Sequence, residues 1–431
     1  RGLAGACRDG ASPEPGVPAD LRSRGRAGHH RPVTDHPLVP RPPGEPEAER
    51  PHLLALTSEE LGEAARRRVG PGAGIWPAVF RDAMSGRFEP ERLGVGAAAA
   101  ARWRAAFRFD LPREAARVDE PSLHPVDERE TTKVALRTRD ELEVEAVLIP
   151  MSKGRASLCV SSQVGCRLGC RFCETGRLGL LRNLGPEEIV GQVVAARSVL
   201  GWPVRNLVFM GMGEPLDNAD NLVRALRVLS DRRGLAFGQQ RITVCTAGVP
   251  DGLARLGALG FRRMGLSFSL NAATDDKRDR LMPINRRHPL ARVQQALVDY
   301  PKREGFVLAL NYCLLPGFND APEDARAVAR FAAPLGRTLI NVIPYNPGRS
   351  PLTRAPTEAE VEAFVDALEA AGLAVRRRRT KGRSVMAACG QLGNPELRGV
   401  RRARARGENA RLPVLGGALE PAPAGADEPP G

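Results

Sequence analysis

The chain has 431 residues, eight of them cysteine, and a formal net charge of +14 carried mainly by arginine. So few cysteines in that length exclude a disulfide-stapled scaffold, and no apolar run of about 18 residues, nor an apolar stretch ahead of a cleavage site, argues for a membrane or a secretory route. The reading is a soluble, cytoplasmic protein whose basic charge favours a polyanionic partner, nucleic acid first. A generally arginine-rich surface is the plainer alternative.

Residues 1–50 are rich in Pro, Gly, Arg and acidic residues, show no apolar periodicity and are expected to be disordered. The chain opens on Arg1 and its first methionine is Met84, which fits a fragment or a reading frame extended upstream. Residues 51–125 predict a small helical module. Thr57 and Glu60 stand in capping-box spacing, and further helical patterns surround Trp76, Phe80, Trp103 and Phe107. Residues 126–156 hold two strand-like runs, TTKVALRT and LEVEAVLIP, joined by a turn and reading as a hairpin.

From 157 to 397 strand and helix alternate. The strands read are SLCVSS, NLVFMG, RITVCTA, MGLSFSL, VLALNYCLL and TLINVIPY; the helices are 186–200, 218–231, 250–259, 288–300, 322–334 and 357–372. This pattern predicts an α/β fold with a parallel sheet covered by helices. No dinucleotide fingerprint follows the first strand, which favours a partial (β/α)6 barrel over a doubly wound sheet. Sites in such barrels lie at the C-terminal ends of the strands. Residues 398–431 carry six arginines before Leu412, then an Ala/Pro/Gly/acidic end. They are expected to form a mobile tail, with contact to RNA phosphates as the other reading.

The unusual residues fall at strand ends. Cys166, Cys170 and Cys173 are spaced C-x3-C-x2-C after the first barrel strand, with no histidine between His124 and His288. A structural zinc site wants four protein ligands. Three thiolates instead suit three irons of a 4Fe–4S cluster, leaving the fourth open. This spacing is the signature of radical S-adenosylmethionine (SAM) enzymes, and Phe172 sits where the superfamily commonly carries an aromatic residue. GMGEPL, with Gly213 and Glu214, follows the second strand. Glycines there allow close backbone approach to a ligand, and Glu214 can accept from an ammonium group. In isolation the segment is equally an ordinary glycine-rich turn.

Residues from about 130 to 395 resemble the RlmN/Cfr family of radical-SAM RNA methyltransferases, most closely its adenine-C2 members. The matching text is VEAVLIP, SLCVSSQVGCRLGCRFCETG, RNLGPEEIVGQV, VFMGMGEPLDN, RLMPINRR, NVIPYNP and AACGQL. The resemblance implies one 4Fe–4S cluster per chain on Cys166, Cys170 and Cys173, with SAM as cosubstrate. It makes Cys389 the S-methylcysteine carrier, Cys159 the thiolate that resolves the adduct, and Glu145 the proton acceptor. One SAM would methylate Cys389; cleavage of a second would yield a radical that takes hydrogen from that methyl group, and the carbon radical would add to adenine. SAM contacts are implied at Gly213, Glu214, Cys245, Ser269, Leu270, Asn271, Asn319 and Asn346. The implied substrate is 23S rRNA, with tRNA as a second target, the electron donor is a flavodoxin or ferredoxin, and the enzyme is expected to be a monomer. The helical module takes the place of the family's accessory RNA-binding domain. Cys7, Cys245 and Cys313 are otherwise assigned mostly to tail and core.

The sequence departs from the family in three places. Cys245 replaces a serine, Asn271 a histidine and Asn311 a glutamate. Asparagine can donate and accept but does not titrate near neutral pH, so a divergent subfamily is open. Other readings are Cfr-type carbon-8 methylation, a radical-SAM enzyme on a non-RNA substrate, and a non-catalytic RNA-binding or iron–sulfur protein. Chemistry on a non-RNA substrate leaves the Cys159/Cys389 pair unexplained, and cleavage of SAM would exclude a non-catalytic protein. The basic run VRRRRTKGR leads directly to Cys389 and is expected to hold phosphates.

Overall fold

The computed structural model describes residues 50–120, 131–151 and 154–406. The expectations for residues 1–49, for Cys7 and for the tail beyond 406 lie outside them. The helical module consists of α1 (Ser58–Arg68), α2 (Trp76–Met84) and α3 (Ala97–Ala106). α1 starts where the capping box predicts. The Thr57 hydroxyl accepts from Glu60 N at 3.3 Å and the Glu60 carboxylate accepts from Thr57 N at 2.9 Å, which satisfies amides that have no partner inside the helix. The three helices close over Phe80, Trp103 and Phe107, with the last two rings stacked 5.3 Å apart.

The chain then turns to sheet earlier than expected. Residues 113–120, read with the helical module, form a strand, β1 (Arg113–Glu120). It pairs antiparallel with β2 (Thr131–Arg137), from Arg113 opposite Arg137 to Glu120 opposite Thr131. Its own residues are polar or small and only partly buried, so the neighbouring edge, not an apolar alternation, makes it a strand. β2 and β3 (Glu143–Met151) form the expected hairpin, closed by Thr138 N to Leu142 O at 2.8 Å. β3 pairs antiparallel with β4 (Arg155–Cys159), the first barrel strand.

After β4 come a small antiparallel pair, β5 (Gln163–Cys166) and β6 (Gly179–Asn183), with the short helix α4 (Glu174–Leu178) between them. The barrel continues through α5 (Pro186–Val194), β7 (Val204–Phe209), α6 (Ala219–Ser230), β8 (Ile242–Thr246), α7 (Pro250–Ala258) and β9 (Gly265–Ser269). Then follow α8 (Asp275–Leu281), α9 (Leu290–Asp299), β10 (Leu308–Leu314), α10 (Pro322–Ala332), β11 (Thr338–Pro344), α11 (Glu358–Ala370) and β12 (Val375–Arg377). The main sheet runs β1-β2-β3-β4-β7-β8-β9-β10-β11-β12, parallel from β4 onward. This is the α/β partial barrel expected, with every barrel strand read from the sequence present and β12 added beyond them. The sheet does not close on itself, and its edge strands are β1 on one side and β12 on the other.

The helical module sits on the barrel. Ser58 N donates to Asp231 Oδ2 at 2.7 Å and Arg224 Nε to Ala55 O at 2.8 Å, and the apolar residues of both parts form one core. At the other end the sequence expectation of a mobile tail from 398 fails for its first residues. Leu397–Ala405 form a helix, α12, because Leu397, Val400 and Ala403 recur every three residues and bury one face against the core, while Arg401 and Arg402 stay outside. No described helix is long and apolar enough to cross a membrane.

Candidate active site

The three-cysteine loop is folded tightly upon itself. Cys166 ends β5, Cys173 stands at the N-cap of α4, and Cys173 N donates to Cys170 O at 3.2 Å. α4 can approach because residue 176 is glycine: a Cβ there would stand 2.8 Å from Cys170 O and 2.9 Å from Cys170 N. The loop is tied to α8 by Arg171 N to Leu281 O at 3.0 Å. All three thiols face a cavity of about 170 Å³ at the C-terminal ends of the strands. Burial pushes the Cys166 thiol well above its usual value, with the neighbouring Cys170 adding to the effect. Burial likewise pushes Cys170 up to about 12, and raises Cys173.

The opposite wall comes from the ends of β7, β8, β9 and β10. Gly213 and Glu214 line it, but the close approach that glycine allows is to the chain itself. Gly213 has φ +98, and a Cβ there would stand 2.5 Å from Gln163 Cβ. Glu214 is 4 % exposed and accepts three bonds: from Leu216 N (3.0 Å), Thr246 Oγ1 (2.7 Å) and Ala247 N (2.8 Å). Burial nevertheless raises its carboxyl to about 7. Cys245, Ser269 and Asn271 also face the cavity. Cys245 Sγ lies 3.3 Å from Ser269 Oγ and accepts from Asn311 Nδ2 at 3.2 Å, so two of the family departures meet each other. Asn271 lies in the left-handed region at φ +56, which asparagine tolerates better than most residues. Its Oδ1 accepts from Cys313 N at 2.9 Å.

Three expected SAM contacts, Leu270, Asn319 and Asn346, do not line the cavity. Leu270 is fully buried in the core, and Asn319 uses its whole amide as a brace. Its Oδ1 accepts from Leu315 N (2.7 Å) while its Nδ2 donates to Asn271 O (2.7 Å) and Cys313 O (2.8 Å). Asn346 lines the neighbouring basic groove instead and donates to Cys389 O at 3.5 Å.

Cys389, more than 200 positions from the cysteine loop, is brought against it by its neighbours. Glu174 N donates to Gly390 O at 2.7 Å and Thr175 Oγ1 to Leu392 O at 2.6 Å. Cys389 is exposed at the mouth of the cavity. The surrounding wall raises its thiol while Arg378 pulls it down. Cys159, at the end of β4, is buried, and its thiol is pushed up by burial and then by Cys389. Glu145 on β3 accepts from Gly393 N at 2.8 Å and faces Lys133 Nζ at 3.6 Å.

Sequence reasoning missed several residues. Cys313, assigned to the core, is buried but also lines the cavity, with Tyr345, while Asn311 and Thr246 line it as the sequence departures placed them. Arg278 on α8 is wholly buried, donating to Leu270 O, Ala247 O and Ser269 O and to Asn285 Oδ1. It supplies positive charge near Cys170. Lys133, buried against Glu145, was missed as well. Charged residues inside strand-like or helical text carry no signal that separates a buried group from a surface one.

The donor set fits a cluster. Among the described residues no three His, Cys, Asp or Glu side chains converge closely enough for a single ion. Thiolates on three different irons stand farther apart than ligands of one ion, and irons would neutralise thiols that now raise one another.

Comparison with known proteins agrees. Residues 160–332 match the radical SAM superfamily model. Over 278 residues the chain is 43 % identical to a Protochlamydia amoebophila protein named "Probable dual-specificity RNA methyltransferase RlmN 1", covering 64 % of this chain and 77 % of that one. A protein of Sorangium cellulosum, named a probable RNA methyltransferase, is 40 % identical over 392 residues, covering 88 % of this chain and 96 % of its own length. The crystal structure of a radical SAM methyltransferase from Sphaerobacter thermophilus superposes with a TM-score of 0.71 at 33 % identity, covering 79 % of this chain and 99 % of that one.

Proposed function

This chain belongs to the RlmN-type radical-SAM RNA methyltransferases, and from that premise we propose that it methylates carbon 2 of an adenine in 23S rRNA, and in tRNA, through a methyl group carried on Cys389. The observation that carries the reading is the meeting of the cysteine loop and Cys389 at one cavity, with Cys159 close enough to feel the Cys389 charge.

Each residue has a task that its surroundings support. The wall around Cys389 raises its thiol, and Arg378 offsets part of that rise beside a sulfur that is exposed. The Cys389 thiolate attacks the methyl carbon of SAM; the new S–C bond forms on Cys389 as the sulfonium bond breaks and S-adenosylhomocysteine leaves. Gly213, Glu214, Cys245, Ser269 and Asn271 offer the polar wall against which SAM lies, with Glu214 for its ammonium group. When bound on Cys166, Cys170 and Cys173, a 4Fe–4S cluster supplies the electron that cleaves a second SAM and opens radical chemistry at the S-methyl carbon. Glu145 takes the ring proton. Once the adduct has given up its unpaired electron to the redox system, the Cys159 thiolate attacks the Cys389 sulfur; the S–C bond breaks with its electron pair on carbon, which takes a proton to complete the methyl group, and the Cys159–Cys389 disulfide is reduced before the next turnover. A flavodoxin or ferredoxin supplies electrons to a monomeric enzyme.

The RNA path is supported by a groove of about 660 Å³ lined by Arg377, Arg378, Arg379, Lys381 and Arg383. Tyr345 lines both this groove and the cysteine cavity. Residues 51–112 serve as an accessory RNA-binding domain, the sheet extension that begins with β1 links it to the barrel, and the barrel from β4 onward is catalytic. Mass spectrometry of adenines in 23S rRNA and tRNA, after incubation with reconstituted protein, reductant and SAM, tests the proposal. The expected product is 2-methyladenosine. 8-Methyladenosine or unmodified RNA would overturn it.

A further inference from the structure

The antiparallel extension grips the Cys389 loop with charge. Glu145 Oε2 on β3 accepts from Gly393 N at 2.8 Å, and its Oε1 lies 3.6 Å from Lys133 Nζ on β2. Lys133 donates to Met386 O at 3.1 Å. Residues 386 and 393 bracket Cys389, so one ion pair holds both ends of the loop. The two side chains are only 2 % and 3 % exposed at the residue level. A buried pair of this kind is tolerated only when each charge compensates the other and the remaining hydrogen-bond capacity is used. Here that capacity goes to the backbone of this one segment.

The loop is shaped to need holding. Met386 lies in the left-handed region at φ +53, where a bulky side chain is strained, and Gly393 sits at φ +136. The other charges facing the pair are fixed. Arg349 Nη1 donates to Gly393 O at 3.3 Å and opposes the Lys133 ammonium. Glu143, two residues along the same face of β3, accepts from Asn394 Nδ2 at 3.0 Å but is itself paired with Arg137 at 2.6 Å.

We propose that Lys133 and Glu145 form a charge latch on the Cys389 loop, closed while Glu145 is ionised and released when Glu145 takes a proton. The inference rests on Glu145 being the acceptor of the ring proton. Lys133 is then a positioning residue, and the latch orders the reaction. Cys389 is held while it carries the methyl group. It is freed once the proton has moved from the ring carbon to the carboxylate oxygen, with the C–H electron pair left on the base, because its sulfur must then meet Cys159. Burial and Arg349 hold the Lys133 ammonium below its usual value, and the Glu145 charge is what supports it.

Hydrogen–deuterium exchange of the cluster-loaded full chain, without RNA, tests the latch. Glu145→Gln keeps shape and an acceptor oxygen but removes the charge, as protonation does. Amides of residues 386–394 should exchange roughly tenfold faster in it, while barrel strands keep their rates. Lys133→Met should do the same, and the double variant should exceed neither single one, since one ion pair is lost in all three. Wild-type exchange in Glu145→Gln, or additive effects in the double variant, would overturn the latch. If Lys133→Met fails to fold, the near-isosteric Glu145→Gln decides alone. The measurement involves no turnover. Fast exchange in a protein that methylates RNA without Cys389 would keep the latch and sink the mechanism; slow exchange with an intact Cys389 route would do the reverse.

Discussion

Cys159 and Cys389 are the same residue type in opposite surroundings, one buried at a strand end and one exposed at the cavity mouth. Their substitutions should therefore separate. Cys389→Ala removes the carrier, so neither an RNA adduct nor methylation should be found. Cys159→Ala keeps the carrier and removes the attacking thiolate, so protein should accumulate cross-linked to RNA, seen as a nuclease-sensitive mass shift. Two cysteines with a merely structural role would make the variants behave alike. Glu214 carries a second consequence. Its carboxyl is raised by burial from the ordinary 4.5 to about 7, so between those values the folded chain holds a proton that the unfolded chain has lost. Stability should fall as pH rises through this window, by about 3 kcal/mol for this group at full effect, and level off above it. Glu214→Gln in the cluster-free protein should flatten that part of the curve in urea titrations from pH 4.5 to 8. An unchanged slope would show that water reaches the carboxylate.

At the scale of elements, the cysteine loop depends on a helix that comes too close for any side chain. Gly176→Ala places a methyl group against the Cys170 backbone, which is not the far end of a flexible side chain and cannot swing away. Iron bound per chain after reconstitution should drop severalfold, out of proportion to any fall in the thermal midpoint of the cluster-free protein, because the methyl group displaces the backbone of Cys170 itself. Thr57→Ala should act in the reverse sense. It should lower stability by about 1 kcal/mol through the lost cap and leave iron loading untouched. These elements also show what the sequence made legible. The Thr57 cap, the barrel strands and the covering helices follow from local pattern, since each buries its own apolar face. β1 does not, because its partner makes it a strand, and α12 hides its apolar spacing among arginines. The docking of residues 386–394 onto the cysteine loop depends on hydrogen bonds between segments more than 200 positions apart, which no local pattern encodes. Cys389 was legible through its family motif, whereas Lys133, which holds it, looked like any strand lysine.

On the scale of the whole molecule, the charge of +14 is not spread evenly in effect. Many surface arginines are neutralised by neighbours, as Arg104 is by Glu91 and Arg113 by Glu141. The run that begins in β12 differs. Arg376, Arg378 and Arg379 are exposed, and Arg377 is the member paired with an acid, Glu358. Arg378 also acts on the Cys389 thiol, which sets it at the junction between groove and cavity. Phosphates following this groove would bring an unstacked base to the cavity mouth, and each phosphate neutralised releases counterions into solution. RNA affinity should therefore fall steeply with salt. Replacing Arg378 and Lys381 together by Ala should reduce the slope of log affinity against log salt by about 1–2 units, as expected for two lost phosphate contacts. Lys381 also donates to Pro150 O at 3.2 Å, so a matched thermal melt separates lost stability from lost binding. A slope equal to that of the wild type, in a variant that melts normally, would move the RNA path off this groove and onto the helical module.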